Sequence, residues 1–472
     1  MVEIPDYLES WIQNQRWYAG KGRAPEFDLI GSFDLDGAAD SGARIRIDLV
    51  LDHAEHPVLY QVPLTERDEP LAGAEKSLIA AVTSNVSATS DDSVTDAATT
   101  YLYDGPHDQA FAAAMLRLVL DESSFVDGSG TKTVTGHRDL ATDLQIVSSK
   151  VLSGEQSNTS IVFVTAGPDG SPAMPVICKL FRALHDGNNP DVELTGVLGA
   201  AGSAVVPRVV GHLTGQWSDT AKLHGIATGH LAFAQEFLPG TEDAWRVAVR
   251  AAEDHDDFSE RARALGVTTA EMHETLASAL PSAATTPADI ATVIESMRRR
   301  FDLAVREVPS LADHAAHLER VYERAAASPW LPLQRIHGDY HLGQVLSVAE
   351  RGWVVLDFEG EPLRPMNERN SLDSPLRDVA GMLRSFDYVA GSFALAHPGE
   401  SVAAWTTASR HAFVDGYIER SGHDIRAHRA VLDAFEIDKA LYEAIYEARN
   451  RPDWLSIPTD AITRLVERFS AA

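Results

Sequence analysis

Residues 334–365 read QRIHGDYHLGQVLSVAERGWVVLDFEGEPLRP, a span that gathers Asp339, Gln344, Asp357, Glu359 and Glu361 with His337 and His341. Two apolar runs frame these groups, Val345-Leu346 and Trp353–Leu356, with a turn signal at Arg351-Gly352. Short apolar runs bounded by turn residues read as paired strands. A hairpin of that length returns its end near its beginning, so Asp339, Gln344 and Asp357 are expected to converge. Three oxygen ligands with no cysteine suit a hard cation such as Mg2+. Phosphoryl transfer uses such a set: an Asp to receive a hydroxyl proton, an amide oxygen for metal, and a second Asp past a hairpin. Those roles fall to Asp339, Gln344 and Asp357. A carboxylate-rich hairpin without partners would be costly to bury.

The string His337-Gly338-Asp339-Tyr340-His341 followed by Asp357-Phe358-Glu359 resembles the catalytic signature of the aminoglycoside phosphotransferase group within the protein-kinase-like fold. The longer run Arg377–Tyr388 is similar to actinobacterial maltokinases and glucosamine kinases, and the likeness extends from Arg16–Lys21 to Asn450–Trp454. Gln344 departs from the wider pattern, which carries Asn there; its amide oxygen lies one methylene further out.

The resemblance implies a bilobal α/β (α+β) kinase-like fold, using ATP and Mg2+, with a small-molecule sugar as acceptor. Its parts would be an N-terminal cap (1–105), a sheet-rich N-lobe (106–240) and a mostly helical C-lobe (241–472). The cap segment shows short strands at Phe27–Ile30, Ile45–Leu51 and Val58–Leu64 after a helical stripe of Leu8, Trp11 and Ile12. Trp17, Lys21 and Arg23 are expected to pack rather than to meet a ligand. Ser84 to Thr100, rich in Ser, Thr, Asp and Ala, reads as a loop.

Between strands at Gln145–Val151 and Ile161–Thr165, the polar turn Ser153–Ser160 offers Ser153, Ser157, Asn158 and Thr159 to phosphate oxygens. The following strand, Val176–Phe181, carries Lys179 between apolar neighbours, where an ammonium wants a partner. Kinase logic supplies nucleotide phosphates and an acid on the next helix. Glu193 is the favoured partner and Asp191 the second choice, on a helix that Pro190 opens. The apolar strand Leu231–Gly240 stops at Pro-Gly, and main-chain groups of Glu236 and Leu238 are the expected adenine contacts.

Helical periodicity dominates from Asp243 onward, with helices expected over 258–280, 288–308, 311–328, 377–389, 402–420 and 425–448. His273 falls on a packed face, and Asp378 stands where it can brace the catalytic loop. On the last of these helices Lys439, Tyr442, Glu443, Tyr446 and Glu447 share a face. With Trp454 and Arg451 beyond Pro452, and with His337 and Asp339, they form the expected acceptor site. Aromatic faces cover apolar C–H groups of a sugar while carboxylates accept its hydroxyls. Glutamates at i and i+4 repel unless a cation lies between them, whether Lys439, Arg451 or an aminium on the substrate.

Acids outnumber bases 69 to 40, a formal charge of -29 that disfavours nucleic acid and anionic membranes as partners. Cys178 is the single cysteine, so neither an internal disulfide nor a thiolate cluster is available, and its strand setting reads as a buried thiol. The acidic start and the absence of a long apolar window suggest a cytoplasmic protein, as monomer or weak homodimer. The resemblance implies glucosamine phosphorylated at its 6-hydroxyl or maltose as acceptor, and the carboxylates around Glu443 and Glu447 lean the reading toward the aminated sugar. Maltose phosphorylated at its anomeric hydroxyl is the alternative. An aminoglycoside-modifying kinase or a silent nucleotide- or sugar-binding regulator stands behind both.

Overall fold

β-Branched and aromatic runs separated by turn residues build two antiparallel sheets in the first half of the chain. The computed structural model describes residues 2–35, 41–53, 57–84, 98–126, 133–152, 154, 157–219, 225–362 and 364–470. Strands β1 (Val2–Glu3), β2 (Phe27–Leu35), β3 (Ala43–Asp52), β4 (Val58–Arg67), β5 (Leu78–Ser84) and β6 (Ala98–Asp104) form the first sheet, ordered β1-β2-β3-β4-β6-β5. Next come β7 (Ser124–Val126), β8 (Thr133–Arg138), β9 (Gln145–Val151), β10 (Asn158–Ala166), β11 (Val176–Phe181), β12 (Ala183–Leu184), β13 (Val209–Ser218) and β14 (Ile226–Glu236). The second sheet runs β7-β8-β13-β14-β11-β10-β9, while β12 joins β4 of the first. Most of the segment read as a loop, residues 85–97, lies outside the described residues, but Ala98–Thr100 belong to β6.

Contacts divide the chain into two units, Met1–Val192 with Arg208–Leu238, and Glu193–Pro207 with Pro239–Ala472. In the first, helix α1 (Asp6–Gln13) buries Leu8 and Ile12, and helix α2 (Gln109–Leu120) buries Phe111, Met115 and Val119. Trp17 packs edge-on against Trp11 and lies under the guanidinium of Arg182, and Arg23 pairs with Asp52. Trp17 and Arg23 therefore have structural partners, as expected, whereas Lys21 is exposed. Cys178 is buried in β11, where desolvation pushes its thiol up to about 12.

Helix α3 (Pro190–Ala200) leads into the second unit, which holds α4 (Ala244–Glu253), α5 (Ser259–Ala279), α6 (Pro287–Glu307), α7 (Ala315–Ala326), α8 (Met366–Arg369), α9 (Pro375–Ala396), α10 (Ala403–Ser421), α11 (Arg429–Asn450) and α12 (Ser456–Ser470). A small sheet of β15 (Glu242–Asp243), β16 (Val345–Val348) and β17 (Gly352–Val355) sits among them. Helix α12 was not expected; its buried Ile457, Ile462, Leu465 and Val466 pack it onto the helical core. Among the described residues no helix is long and apolar enough to cross a membrane.

Candidate active site

The hairpin forms as its apolar runs require, with Val345 opposite Val355 and Val348 opposite Gly352. That register sets Gln344 and Asp357 at the open end, where Gln344 Nε2 donates to Asp357 Oδ2 at 3.0 Å. The carboxamide oxygen and the carboxylate are both hard ligands of the kind a divalent cation takes. Asp357 adopts a left-handed backbone with φ 64°, uncommon for a side chain without glycine's freedom, at a cost of about 1–3 kcal/mol.

The loop that carries Asp339 is held from behind. Asp378, at the start of α9, accepts from His337 N at 2.8 Å and from Gly338 N at 2.9 Å. It also receives His273 Nε2 at 3.0 Å, whose Nδ1 meets the Tyr417 hydroxyl at 3.0 Å. Burial opposes a charge on Asp378, yet His273 and the other donors hold its carboxyl below the usual range. Helix α9 can lie this close because residue 381 is glycine: a Cβ there would stand 2.5 Å from the Tyr340 carbonyl oxygen.

His337 does not face an acceptor. Its ring is buried, Nε2 sits 2.9 Å from the Leu356 carbonyl, and the imidazole packs on Phe358 and Tyr340. An imidazole flanked by two aromatic rings and a carbonyl serves as a spacer inside the hairpin, which corrects the expectation for this residue.

Asp339 Oδ1 accepts from Lys439 Nζ at 2.7 Å, and the same ammonium reaches Glu361 Oε1 at 3.1 Å. Burial opposes the charge of Lys439, but Asp339 and Glu361 outweigh it and raise its pKa. Arg300 closes the network, bonding Glu361 Oε2 at 3.0 Å and Asp438 at 3.0 Å. Lys439, expected to touch substrate, also grips the loop carboxylate. His341 accepts from Gly343 N at 3.0 Å. Burial lowers its pKa against the opposing pull of Asp339 and Asp357.

Asp339, His341, Lys439, Tyr442, Glu443 and Glu447 all line a cavity of about 410 Å³ in the second unit. Its walls include Tyr388, which stacks on Trp454 at a centroid distance of 6.5 Å, and the exposed Tyr446. Each of the paired glutamates takes an arginine: Arg451, one of the cations expected, and Arg384, which was not. Arg384, fully buried, bonds Glu443 Oε2 at 2.6 Å and Asp387 at 3.0 Å. Glu447 accepts from the Tyr388 hydroxyl at 2.9 Å and from Arg451 at 2.6 and 2.9 Å. Trp245, Ser385 and Tyr388 were missed as cavity residues, and Arg384 was missed as the buried partner of Glu443. Arg384 alone left a signal, an arginine inside the apolar run Met382–Phe386, which demands a partner when buried.

In the first unit Lys179 donates to Asp191 Oδ2 at 3.1 Å. Asp191 is the second-choice acid; Glu193, favoured from the sequence, accepts from Arg335 at 2.5 Å. Ser153 lies outside the described residues; Ser157 is exposed and Asn158 half-buried. Thr159 overturns its assignment. It lies within β10, buried, and its hydroxyl accepts from Arg182 Nε at 2.8 Å. Glu236 N donates to the Arg208 carbonyl at 2.8 Å and its carboxylate takes the Arg208 guanidinium at 2.9 Å, with Leu238 half-buried beyond.

Residues 11–108 match the maltokinase N-terminal cap domain, and residues 148–433 match the phosphotransferase enzyme family. A glucosamine kinase of Streptacidiphilus jiangxiensis is 29% identical over 77% of this chain and 81% of its own. One of Mycolicibacterium smegmatis (strain ATCC 700084 / mc(2)155) is 27% identical over 66% of this chain and 78% of its own. The fold matches a solved glucosamine kinase in complex with glucosamine, ADP and inorganic phosphate, with TM-score 0.63 and 21% identity over 98% of this chain and 100% of that one. A match over more than half of its length means that the chain belongs to the phosphotransferase enzyme family, preceded by a cap of the maltokinase type.

Proposed function

We propose that this protein is an ATP-dependent sugar kinase that phosphorylates D-glucosamine at its 6-hydroxyl. The observation that carries the reading is the cavity of about 410 Å³ in which Asp339 meets aromatic rings and buried carboxylates. In the proposed reaction the acceptor oxygen bonds the γ-phosphorus, its proton passes to Asp339, and the bond to the ADP leaving group breaks. Lys179 steadies nucleotide phosphates, with Glu236 and Leu238 offering main-chain contacts to adenine. Gln344 and Asp357 are the ligands for Mg2+, which when bound neutralises phosphate charge. Ser157 and Asn158 remain candidates for phosphate contact.

Of the two glutamates in the cavity, Glu447 is the one assigned to an aminated acceptor. Arg384 is enclosed and fixed on Glu443, whereas Arg451 is 48% exposed and can be displaced from Glu447 by a substrate cation. The two glucosamine kinases among the relatives support this acceptor. The maltokinase-type cap over residues 11–108 supports a second reading, maltose phosphorylated at its anomeric hydroxyl. Comparing kcat/KM for glucosamine, N-acetylglucosamine, glucose and maltose with ATP tests both. Glucosamine is expected to lead and to lose its advantage on acetylation; a lead for maltose would install the second reading.

A further inference from the structure

Lys179 owes its position to an acid at the very start of α3, and the segment that delivers that acid is strapped to β14. Thr228 N donates to Asp186 Oδ1 at 3.0 Å, and Gly187 N donates to the Thr228 carbonyl at 2.8 Å. Residue 229 must be glycine for this approach, since a Cβ there would lie 2.1 Å from the His185 carbonyl oxygen. The last rung is a side chain: His230 Nδ1 accepts from Asn189 N at 3.1 Å. Asn189 Oδ1 in turn accepts from Asp191 N at 2.8 Å, and Asp191 holds Lys179.

We propose that His230 is a positioning residue for nucleotide binding, acting through Asn189 and Asp191 to set the Lys179 ammonium. This rests on the assignment of Lys179 to nucleotide phosphates. An acceptor at Nδ1 fixes the neutral Nε2–H tautomer. Its neighbours preserve that state. The His212 ring meets His230 edge-on at 5.1 Å and is itself stacked on His137 at 4.7 Å. Burial, then His212 and His137, push the His230 pKa down to about 4, so the accepting lone pair persists at neutral pH. The three rings thus act as a buttress that keeps an acceptor aimed at the Asn189 N–H.

The test compares H230F, which keeps a planar ring but removes the acceptor, with H230N, whose amide oxygen stands near the place of Nδ1. Affinity for ATP and ADP is measured by calorimetry on the whole protein, with KM for ATP and for the acceptor measured alongside. H230F is expected to weaken nucleotide binding at least about fivefold, the size of one lost hydrogen bond, while acceptor KM holds. H230N is expected to recover most of that loss. Equal affinity in H230F and wild type overturns the proposal alone, as does a loss that H230N fails to rescue. Wild-type protein that binds no adenine nucleotide overturns the assignment of Lys179 and the proposal with it.

Discussion

Lys439 holds Asp339 at 2.7 Å across a hundred residues of chain, and the same ammonium is anchored on its other side by Glu361. The proposed proton acceptor is therefore oriented by a buried cation that has a second counter-ion of its own. Removing the charge of Asp339 leaves Lys439 still paired, so the fold should survive the loss.

That asymmetry makes D339N a clean probe. Turnover is expected to fall by roughly a thousandfold, the middle of the range for loss of a general base. Nucleotide affinity and the thermal transition should stay close to wild type. Steady-state kinetics with a parallel melting curve checks both. Near-normal turnover would remove Asp339 from the reaction.

Glu361 predicts the acid limit of stability. Burial opposes its charge, but Arg300, Lys439 and Arg377 hold its carboxyl well below the usual carboxylate range. A depressed folded value means the contribution is complete above the unfolded value of about 4.3 and is lost as pH falls below it. Wild-type unfolding free energy should decline from about pH 5 downward. E361Q should be less stable at pH 7 by about 3–5 kcal/mol, because Lys439 and Arg300 lose a buried counter-ion. Its acid decline should be shallower. Urea unfolding at a series of pH values gives both quantities.

Asp378 predicts a split between chemistry and binding. It holds two main-chain N–H groups of the loop, so D378N should displace Asp339 without touching a ligand. The expected result is a fall in kcat of about 10–100-fold with both KM values within about threefold. Stability should drop by about 1–3 kcal/mol, the cost of a weakened charged acceptor. Equal losses in kcat and in nucleotide affinity would point to general unfolding instead.

The hairpin and its carboxylates were legible because their residue types, turn signals and spacing are local. The same holds for Asp378 at a helix start. Partner choice was not legible in the same way. Asp191 and Glu193 stand two residues apart at the opening of α3, and nothing local marks Asp191 as an acceptor for Lys179. Thr159 looked like a turn hydroxyl because β10 begins earlier than its apolar core, at Asn158. Its partner Arg182 lies 23 residues away, beyond reach of a local pattern. Arg384 and Glu443, 59 residues apart, show the same limit: a buried arginine announces a need for an anion without saying which.

The two glutamates of the acceptor cavity provide the sharpest test of substrate. Glu443 is bound to Arg384, whose side chain has no exposed surface. Burial disfavours the Arg384 charge, but Glu443 and Asp387 outweigh it and raise the guanidinium pKa. E443Q should therefore lower kcat/KM for aminated and neutral sugars by a similar factor, since it disturbs the wall and not one substrate group. Glu447 is also buried, but its cation comes from Arg451 on the exposed rim. An aminium entering the cavity can take that place and leave Arg451 to water. E447Q should then lower kcat/KM for glucosamine by about 10–100-fold, the worth of one charged hydrogen bond, and leave glucose within about threefold. The measurement is kcat/KM for both sugars in both variants. Uniform loss in E447Q would move the amine contact elsewhere, and selective loss in E443Q would assign it to Glu443 despite Arg384.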